Sequence, residues 1–490
     1  MPNFIRIHPK DNVAVALRNI PAGTEFAGVT AQAEIPQGHK MALCNLESDA
    51  QVMKYGFSIG HATQNIEAGQ WVHTHNMTTN LSGEMTYTYE PDIQKLQSMP
   101  AETFRGYRRK DGKVGVRNEI WIIPTVGCVN DVAKALAKEN QDLVSGSVEG
   151  LYTFTHPFGC SQTGEDHAQT RKLLASLVRH PNAGAVLVLS LGCENLTQEQ
   201  FLAELGAFDP DRVKFLTCQQ TDDEMRDGRA LLEACADFAK QFQREEIPAS
   251  ELVIGMKCGG SDGLSGITAN PVVGRFSDML VAQGGSTVLT EVPEMFGAEG
   301  FLMNRCINKE IFDKAVDMIN GFKAYFIRHN EVVYDNPSPG NKQGGITTLE
   351  DKSCGCVQKG GAAPIMDVIG YGDAVTTKGL NMLYGPGNDL VSATALTAAG
   401  AHVILFTTGR GTPFGAPAPT MKLSTNTPLA TKKANWIDFN AGLVADGVKT
   451  LDESARDLMD MVLAVASGKL TCAEERGFRE ISIFKDGVVL

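Results

Sequence analysis

Long hydrophobic runs are scarce in this sequence, and their scarcity excludes several classes of protein. The longest apolar stretches, such as AGAVLVLSLG, are far shorter than the roughly 20 residues that span a bilayer, so no transmembrane segment is predicted. The first residues, MPNFIRIHPKDN, carry charges and lack the apolar core of a secretory signal. With 43% hydrophobic and 7% aromatic residues, the composition is typical of a globular protein. We expect a cytoplasmic protein without membrane partners.

Positive charge is also in deficit. Lysine and arginine total 44 residues against 57 aspartates and glutamates, so the formal net charge is -13. Because nucleic acids and anionic membranes are polyanions, this balance argues against both as partners. An anionic substrate would need a local basic pocket.

Four familiar motifs are absent. No two cysteines have the CxxC spacing of zinc ribbons and fingers. No strand-to-helix segment carries the GxGxxG dinucleotide pattern or a phosphate-binding P-loop. Ser265 lacks the GxSxG context of a hydrolase nucleophile. The absence of the dinucleotide pattern argues against a nicotinamide-dependent oxidoreductase, which is kept as a less favoured alternative.

The chain of 490 residues is too long for one ordinary core and suggests several domains. Residues 1–90 contain short apolar strands separated by turns with proline and glycine, which predicts a small β module. Residues 91–105 are polar and predict a linker. Strand-like and helix-like segments then alternate, which predicts two α/β regions with largely parallel sheets at residues 106–247 and 248–490.

Four cysteines stand at the ends of predicted strands, next to glycines. They are Cys128, Cys160, Cys193 and Cys258. Because the carboxyl ends of parallel strands meet at one edge, and thiolates prefer iron and zinc, we predict that these cysteines bind a metal. The alternative is that each is a small buried residue that ends a strand. Cys354 and Cys356, in the segment SCGC, are further candidates that we assign to a loop.

The segment VHTHNMTTN of the β module places two histidines two residues apart. On a strand, alternate side chains point to the same face, so His73 and His75 would lie side by side. Such a pair is a polar surface feature about as often as a ligand pair, and both interpretations stay open. If the module folds over the α/β crevice, either imidazole could transfer a proton or bind a metal.

Polar, glycine-rich segments carry the candidates for substrate binding. Long loops are often functional, and arginine can grip a carboxylate with two parallel hydrogen bonds. The alternative is that these segments are ordinary exposed turns. One of them, NPSPGNKQGGITTLEDKS, is predicted to be an unusually long loop. The candidates in these segments are Arg117, Asn118, Lys342, Thr347 and Arg410.

Several long segments together resemble the altronate and galactarate dehydratase family, and its altronate branch most closely. They include IHPKDNVAVAL, VGVRNEIWIIPTVGCVN, GCSQTGEDH, RHPNAGAVLVLSLGCEN, CGGSDGLSGITANP, TEVPEMFGAE, GNDLVSATAL and FTTGRGTPFG. The resemblance runs from about residue 5 to the C-terminus. It implies an SAF-like N-terminal module, a divalent metal that is most often iron, and dehydration of D-altronate to 2-dehydro-3-deoxy-D-gluconate in hexuronate catabolism.

Such a dehydration removes a proton from C2 and a hydroxyl from C3 of the sugar acid. A metal can stabilise the enolate or activate the leaving hydroxyl, while side chains supply a base and an acid. His73 or His75 is the preferred acid or base, and His156, Glu194 and Asp262 are alternatives. We expect Fe²⁺ at some of the four strand-end cysteines, with Mn²⁺ as a second choice. An iron–sulfur cluster held by three thiolates is a variant.

We expect a homo-oligomer that acts on a small sugar acid. The nearest alternative is a lyase for galactarate or another hydroxy acid, since recognition of hydroxyl stereochemistry depends on pocket shape. A non-enzymatic binding protein is a third class, because small β modules often serve as docking units. The cysteines at strand ends argue against it.

Overall fold

A computed structural model describes residues 3–82 and 85–490. The N-terminal module consists of short strands, β1 Phe4–Ile5, β2 Val13–Ala16, β3 Glu25–Phe26, β4 Val29–Thr30, β5 Lys40–Ala42, β6 Gln51–Lys54, β7 Phe57–Ala62, β8 Trp71–Val72 and β9 Met77–Thr78. An antiparallel sheet has the order β1-β2-β5-β8, and another has the order β6-β7-β9. β2 is buried throughout because Ala14 packs inside the module while Val15 packs against Leu264 of the α/β body.

The second domain contains a parallel sheet with the order β13-β12-β14-β15. Its elements are β10 Thr103–Arg108, β11 Val114–Gly115, β12 Glu119–Pro124, α1 Asn130–Glu139, β13 Gly150–Thr153, α2 Gly164–Arg179, β14 Ala183–Ser190, α3 Gln198–Leu205, β15 Val213–Thr217, α4 Glu224–Ala239 and β16 Glu245–Pro248. In β12, Ile120 faces α1 and α4, whereas Trp121 faces α2. Because both faces of the sheet are covered, its strands are continuously apolar.

The third domain is built on a seven-stranded parallel sheet with the order β19-β20-β18-β17-β21-β22-β23. Its elements are β17 Val253–Cys258, α5 Ala269–Ala282, β18 Ser286–Leu289, α6 Glu299–Met303, α7 Lys309–Arg328, α8 Pro339–Gln343, α9 Leu349–Cys356, β19 Ile365–Ile369, β20 Gly379–Leu383, α10 Asp389–Ala398, β21 Val403–Thr408, β22 Thr420–Ser424, α11 Thr427–Lys432, β23 Phe439–Asn440, α12 Leu451–Ala466 and α13 Cys472–Glu475. The chain order of the strands reverses beside β17. In open α/β sheets such a switch point opens a crevice at the carboxyl ends of the strands, where ligands bind.

The two α/β domains share one apolar core. Leu173 of α2 and Leu396 of α10 belong to it, together with Trp121 of the smaller sheet and Val288 of the larger. Helices from both domains therefore lie between the two sheets. None of the helices in the described residues is both long and apolar enough to cross a membrane.

Residues 85–102 have no regular secondary structure and lie along the third domain. The hydroxyl of Tyr89 donates to the carbonyl oxygen of Cys306 at 2.7 Å, and Met99 N donates to the carbonyl oxygen of Ala282 at 2.9 Å. The segment predicted as a linker is thus attached to the body, and β10 begins inside it at Thr103.

The predicted architecture, a small β module followed by α/β domains with parallel sheets, is confirmed. The loop assignment of the SCGC segment was wrong, because it lies in α9. The preceding segment, predicted as one long loop, contains α8 and the start of α9. Thr348 caps α9 by accepting from Asp351 N, and the helix is buried on all sides. Since its sequence LEDKSCGC shows no apolar periodicity, the pattern did not indicate a helix.

The histidine pair does not lie on a strand either. β8 ends at Val72, and the following residues form a turn before β9. Asn76 closes this turn, because its side chain accepts from His73 N at 2.9 Å and donates to Trp71 O at 2.9 Å. An asparagine that bonds to nearby backbone competes with strand pairing, and the alternation expected for His73 and His75 is therefore wrong.

Candidate metal centre and adjoining cavity

Two thiols and two carboxylates meet at the carboxyl edge of the large sheet. Cys258 ends β17, Glu291 and Glu294 follow β18, and Cys356 ends α9. The sulfur atoms of Cys258 and Cys356 are 3.5 Å apart, and Glu294 Oε2 lies 3.0 and 3.3 Å from them. All four residues are buried, and their ligand atoms lie within 4.8 Å of one another. We call these four residues the Cys–Glu cluster.

The parallel pairing of β17 and β18 explains how distant segments reach the cluster. Both strands end at the same edge, so Cys258 and the turn after β18 are neighbours. Glu291 adopts a left-handed backbone conformation, with φ of 71°, which is uncommon outside glycine. Its carboxylate accepts a bond from Cys258 N at 2.9 Å, which holds the turn against the strand.

Three buried lysines surround the cluster. Lys257 contacts Glu291, Lys352 Nζ lies 2.8 Å from Glu294 Oε1, and Lys359 Nζ lies 2.9 Å from the sulfur of Cys356. Burial alone would raise the pKa of Glu294, but these ammonium groups outweigh it and lower the pKa to about 2. Glu294 is therefore an anion at neutral pH.

The charges around the cluster are suited to a divalent cation. Lys257 Nζ also pairs with Asp389 at 2.8 Å, so three carboxylates balance the three ammonium groups while the thiols are protonated. Two thiolates would leave two negative charges, which a divalent ion would compensate. Thiolate and carboxylate donors together suit a borderline ion such as iron or zinc. The residues present thus fit a metal, and the Cys–Glu cluster is a candidate metal site.

A cavity of about 780 Å³ adjoins the cluster. Its wall includes Glu294, a member of the cluster, and Lys352, which pairs with Glu294. Its size falls within the range of small-molecule sites, about 300–1,000 Å³. At Gly259, which also lines it, an added Cβ would stand 2.6 Å from Asp389 Oδ2, so only glycine permits this close approach. Further polar residues on its wall are Asn336, Ser338, Asn341, Lys342, Asn388 and Asp389. The cavity therefore offers amide, hydroxyl, ammonium and carboxylate groups to a polar ligand.

The structure does not gather the four predicted cysteine ligands at one point. Cys128, Cys160 and Cys193 are exposed on loops of the four-stranded sheet, whereas Cys258 belongs to the seven-stranded sheet. Within residues 3–82 and 85–490, the closely spaced ligand group joins Cys258 to Cys356 instead. Sequence patterns indicate where strands end, but they do not show which sheet each strand joins.

Two predicted residues from different domains meet just before the start of α9. His73 Nδ1 lies 3.4 Å from Thr347 Oγ1, just before α9. Burial, with Lys40 and His39 adding positive charge, lowers the pKa of His73 to about 3, so its imidazole is neutral. Arg410 bonds through its guanidinium to the Gln343 side chain at 2.8 Å.

Lys342, Asp262 and His75 have three different environments. Lys342 lies on the cavity wall. Asp262 is buried and accepts from Thr425 Oγ1 at 2.8 Å, and burial raises its pKa. His75 is exposed, with its ring 5.3 Å from that of Trp71. Of these three, Lys342 has direct access to the cavity.

His156 and Glu194 are held in hydrogen bonds of the second domain. His156 Nε2 lies 2.8 Å from the carbonyl oxygen of Pro124, and burial lowers its pKa to about 4. Glu194 accepts from Thr125 Oγ1 at 2.9 Å and from Leu191 N at 3.1 Å. Both side chains are thus bonded within the second domain, whereas the Cys–Glu cluster belongs to the third.

Arg117 and Asn118 also have internal partners. Arg117 Nε pairs with Glu474 Oε1 at 2.8 Å, and both side chains are buried. Asn118 Oδ1 accepts from Arg109 Nη1 at 2.7 Å, and its amide donates to the carbonyl oxygen of Ala239 at 2.9 Å. Arg117 thus joins the second domain to the third, and Asn118 joins segments within the second domain.

Sequence reasoning missed most of the Cys–Glu cluster and its lysines. The segment TVLTEVPEMFG held a usable signal, because Glu291 and Glu294 directly follow a buried strand. Cys356 was proposed only as a loop candidate. Lys257, Lys352 and Lys359 gave no signal, since a lysine is ordinarily expected on the surface.

Three family models match successive parts of the chain. Residues 2–80 match the altronate/galactarate dehydratase SAF domain, and residues 106–240 match the second domain of D-galactarate dehydratase/altronate hydrolase. Residues 249–489 match the C-terminal domain of D-galactarate/altronate dehydratase. The Cys–Glu cluster lies entirely in this last segment.

Similar proteins cover the full length of the chain. Altronate dehydratase of Bacillus subtilis (strain 168) is 51% identical over 499 residues, covering 100% of both chains. Altronate dehydratase of Escherichia coli (strain K12) is 51% identical and covers 99% of this chain and 100% of its own. Galactarate dehydratase (L-threo-forming) of E. coli (strain K12) is 34% identical, covering 95% of this chain and 93% of its own. This chain belongs to the altronate/galactarate dehydratase family of hydro-lyases.

Proposed function

We propose that this protein is a hydro-lyase that dehydrates D-altronate to 2-dehydro-3-deoxy-D-gluconate in hexuronate catabolism. The observation that carries the proposal is the 51% identity to altronate dehydratases over essentially the whole chain, compared with 34% for the galactarate enzyme. A cavity with basic and acidic groups beside a candidate metal site supports the same chemistry.

The substrate in this proposal occupies the cavity beside the Cys–Glu cluster. The ammonium groups of Lys342 and Lys352 line it and provide local positive charge in a chain of net charge -13. Lys352 Nζ is fixed by Glu294 at 2.8 Å and by Asn336 Oδ1 at 3.1 Å. These two lysines bind the carboxylate of the sugar acid through charge-assisted hydrogen bonds. Asn388, which also lines the cavity, is the proposed partner of a substrate hydroxyl.

We infer that Cys258, Glu291, Glu294 and Cys356 hold Fe²⁺, with Mn²⁺ as the alternative. A bound divalent ion would stabilise the negative charge that develops on substrate oxygens when C2 loses its proton. Lys359 Nζ lies 2.9 Å from the sulfur of Cys356. The paired thiols favour iron over magnesium, which prefers oxygen ligands.

Asp389 is our proposed base. Its carboxylate lines the cavity, is 34% exposed, and is oriented by Lys257 Nζ at 2.8 Å. It takes the C2 proton, the electron pair forms the C2–C3 double bond, and the C3–O bond breaks. The protonated Asp389 then returns the proton to the departing oxygen, which leaves as water. The enol product moves its hydroxyl proton to C3 and becomes the 2-keto acid.

The histidine pair remains a second proposal for proton transfer. His73 is neutral and contacts Thr347, which precedes α9 and its terminal Cys356. His73 thus contacts the segment that leads into the helix carrying Cys356. Asp389 has the advantage of lying on the cavity wall itself.

We also propose that the chain acts in the cytoplasm as a homo-oligomer, divided at residues 1–90, 91–105, 106–247 and 248–490. All eleven cysteines are unpaired, in keeping with a reducing compartment. Light scattering on the purified protein tests the oligomer, and limited proteolysis tests the division.

The proposed reaction is tested by incubating the anaerobically purified protein and ferrous iron with a panel of aldonic and aldaric acids. The 2-keto product is then quantified. We expect D-altronate to be turned over with a kcat/KM at least tenfold above that for galactarate. Preference for galactarate would reject the substrate, and an absence of keto acid from every sugar acid would reject the function.

A further inference from the structure

The second domain carries a group of thiols that the proposed dehydration does not use. Cys128, Cys160 and Cys193 lie in the segments that follow β12, β13 and β14, which are adjacent strands of one parallel sheet. All three are exposed, although free cysteine is ordinarily among the most buried residues. Core packing therefore does not explain why cysteine occupies these three positions. We call them the rim cysteines.

Direct hydrogen bonds join the loops that hold the rim cysteines. Gly127 N, one residue before Cys128, donates to the carbonyl oxygen of Phe158 at 2.9 Å. Asn195 Oδ1, two residues after Cys193, accepts from Ser161 N at 3.0 Å and from the sulfur of Cys160 at 3.4 Å. Each thiol is thus at most two residues from a contact between its loop and a neighbouring loop.

The same loops are fixed before any ligand binds. An added Cβ at Gly159 would stand 1.9 Å from the carbonyl oxygen of Thr125, so the loop of Cys160 packs tightly onto the loop of Cys128. Glu194 accepts from Thr125 Oγ1 at 2.9 Å and from Gly192 N at 2.6 Å, which ties in the loop of Cys193. A site on three mutually fixed loops is pre-organised, which lowers the entropic cost of binding.

Two polar atoms next to the rim cysteines lack partners. Gln162 is 2% exposed, and its Nε2 has no hydrogen-bond partner. Asn130 is only half-buried, but its Oδ1 atom is buried and also has no partner. Gln162 is two residues after Cys160, and Asn130 is two residues after Cys128. A buried polar group without a partner costs about 1–3 kcal/mol and calls for an explanation such as a missing ligand. The buried amide of Gln162, two residues from Cys160, is the stronger of these two observations.

The spacing of the thiols does not fit a single tetrahedral ion. Around one tetrahedral ion with metal–sulfur bonds of about 2.3 Å, three sulfurs lie about 3.8 Å apart. Across the part of the chain that the structure describes, the rim cysteines do not form a group with all ligand atoms within 4.8 Å. An iron–sulfur cluster tolerates wider spacing because its own iron and sulfide atoms lie between the thiolates.

We propose that Cys128, Cys160 and Cys193 bind an iron–sulfur cluster at the exposed edge of the second-domain sheet. The cluster would have three thiolate ligands and one iron open to a further ligand. This site is distinct from the Cys–Glu cluster, which belongs to the other sheet, and the proposal does not depend on the proposed dehydration.

The test measures acid-labile sulfide and visible absorbance of the full-length protein. The protein is purified anaerobically and incubated with iron, sulfide and dithiothreitol before desalting. We expect sulfide and iron to be retained with an absorbance band near 400 nm. Each of Cys128→Ser, Cys160→Ser and Cys193→Ser should reduce labile sulfide at least tenfold.

Two controls separate this site from other thiols. Cys44→Ser removes an exposed cysteine of the N-terminal module and should retain all sulfide. Cys258→Ser removes a thiol of the Cys–Glu cluster and should also retain it. Wild-type protein that holds iron without sulfide, or no iron at all, overturns the proposal, as does full retention by the three rim variants. Because the rim cysteines are exposed, serine should leave the far-ultraviolet circular dichroism unchanged.

Discussion

Asp351 of α9 and Lys54 of the N-terminal module form a buried ion pair, with Oδ1 and Nζ 2.9 Å apart. The second oxygen of Asp351 pairs with Lys40 Nζ at 2.7 Å. Since α9 ends at Cys356, one carboxylate joins the module to the helix that carries a candidate metal ligand. The module therefore has its own fold and also supports the helix that carries Cys356.

Replacing Asp351 by asparagine should strongly destabilise this junction. Two buried ammonium groups would lose their counter-charge, and breaking a buried pair in this way costs about 3–5 kcal/mol. Urea unfolding measures the change. The matched control is Asp313→Asn, which breaks an exposed pair with Lys309 and should cost no more than about 0.5 kcal/mol. Equal effects of the two substitutions would contradict the structural role of Asp351.

The two lysines that share Asp351 should respond differently to pH. Burial, with Asp351 opposing it and Lys54 adding to it, lowers the pKa of Lys40 from 10.5 to about 8. Burial also acts on Lys54, but Asp351 and Tyr55 outweigh it and raise its pKa. Between about pH 8 and 10.5 the unfolded chain binds more protons at Lys40 than the folded chain. The contribution of Lys40 to stability therefore rises with pH there, by up to about 1.4 kcal/mol per unit.

A comparison of wild type with Lys40→Met isolates this effect. The difference in unfolding free energy between the two proteins should be constant below pH 7.5. As the pH rises to 10, the wild type should gain stability relative to Lys40→Met. Urea unfolding at each pH gives the two values. A difference that does not change across this range would show that Lys40 keeps its proton.

Strand positions could be predicted from the sequence, whereas their assembly could not. The apolar run before Cys258 gave β17 and its carboxyl end, and the same reasoning gave β12 and β14. All strand-end cysteines were assigned to one crevice, yet the structure divides them between two sheets. Periodicity reports burial of each strand, while the choice of sheet depends on packing between distant segments.

The cluster residues were hidden for a related reason. α9 is buried on all sides but contains lysine, aspartate, glutamate and serine, because its polar groups pair with residues far away in the chain. Such a helix lacks the apolar stripe that marks a helix in sequence. His73 was singled out from the sequence as a candidate acid or base, but the turn closed by Asn76 gives it a different geometry from the one expected.

Substitution of the cluster thiols should reduce metal content. Cys258→Ser and Cys356→Ser each remove a soft ligand, and we expect bound iron to fall at least tenfold under limiting free iron. The protein is desalted into chelator-free buffer without added sulfide, and its iron is measured by mass spectrometry. Cys354→Ser is the matched control, since Cys354 is buried on the same helix but lies outside the cluster. Iron content that is lowered equally by all three variants would indicate a general loss of structure.

Removal of the charge of Lys342 should weaken substrate binding. Its ammonium group lines the cavity, and a hydrogen bond to a charged group contributes about 1.5–3 kcal/mol. Lys342→Met should therefore raise KM for altronate roughly 10- to 100-fold with a smaller change in kcat. Lys309→Met, on an exposed helix start, is the control. A change confined to kcat would assign Lys342 to a step after binding.

Loss of the Asp389 carboxylate should abolish most of the chemistry while leaving binding intact. Asp389→Asn keeps the shape and a hydrogen-bonding group but cannot accept the C2 proton, so kcat should fall about 10²- to 10⁴-fold. Exchange of deuterium from C2 of labelled altronate into water during turnover, measured by NMR, should fall in parallel. Asp335→Asn is the matched control, because Asp335 also lines the cavity but is exposed, and its kcat should change less than about threefold. If His73→Asn or His75→Ala instead stops exchange while Asp389→Asn does not, proton transfer belongs to the N-terminal module.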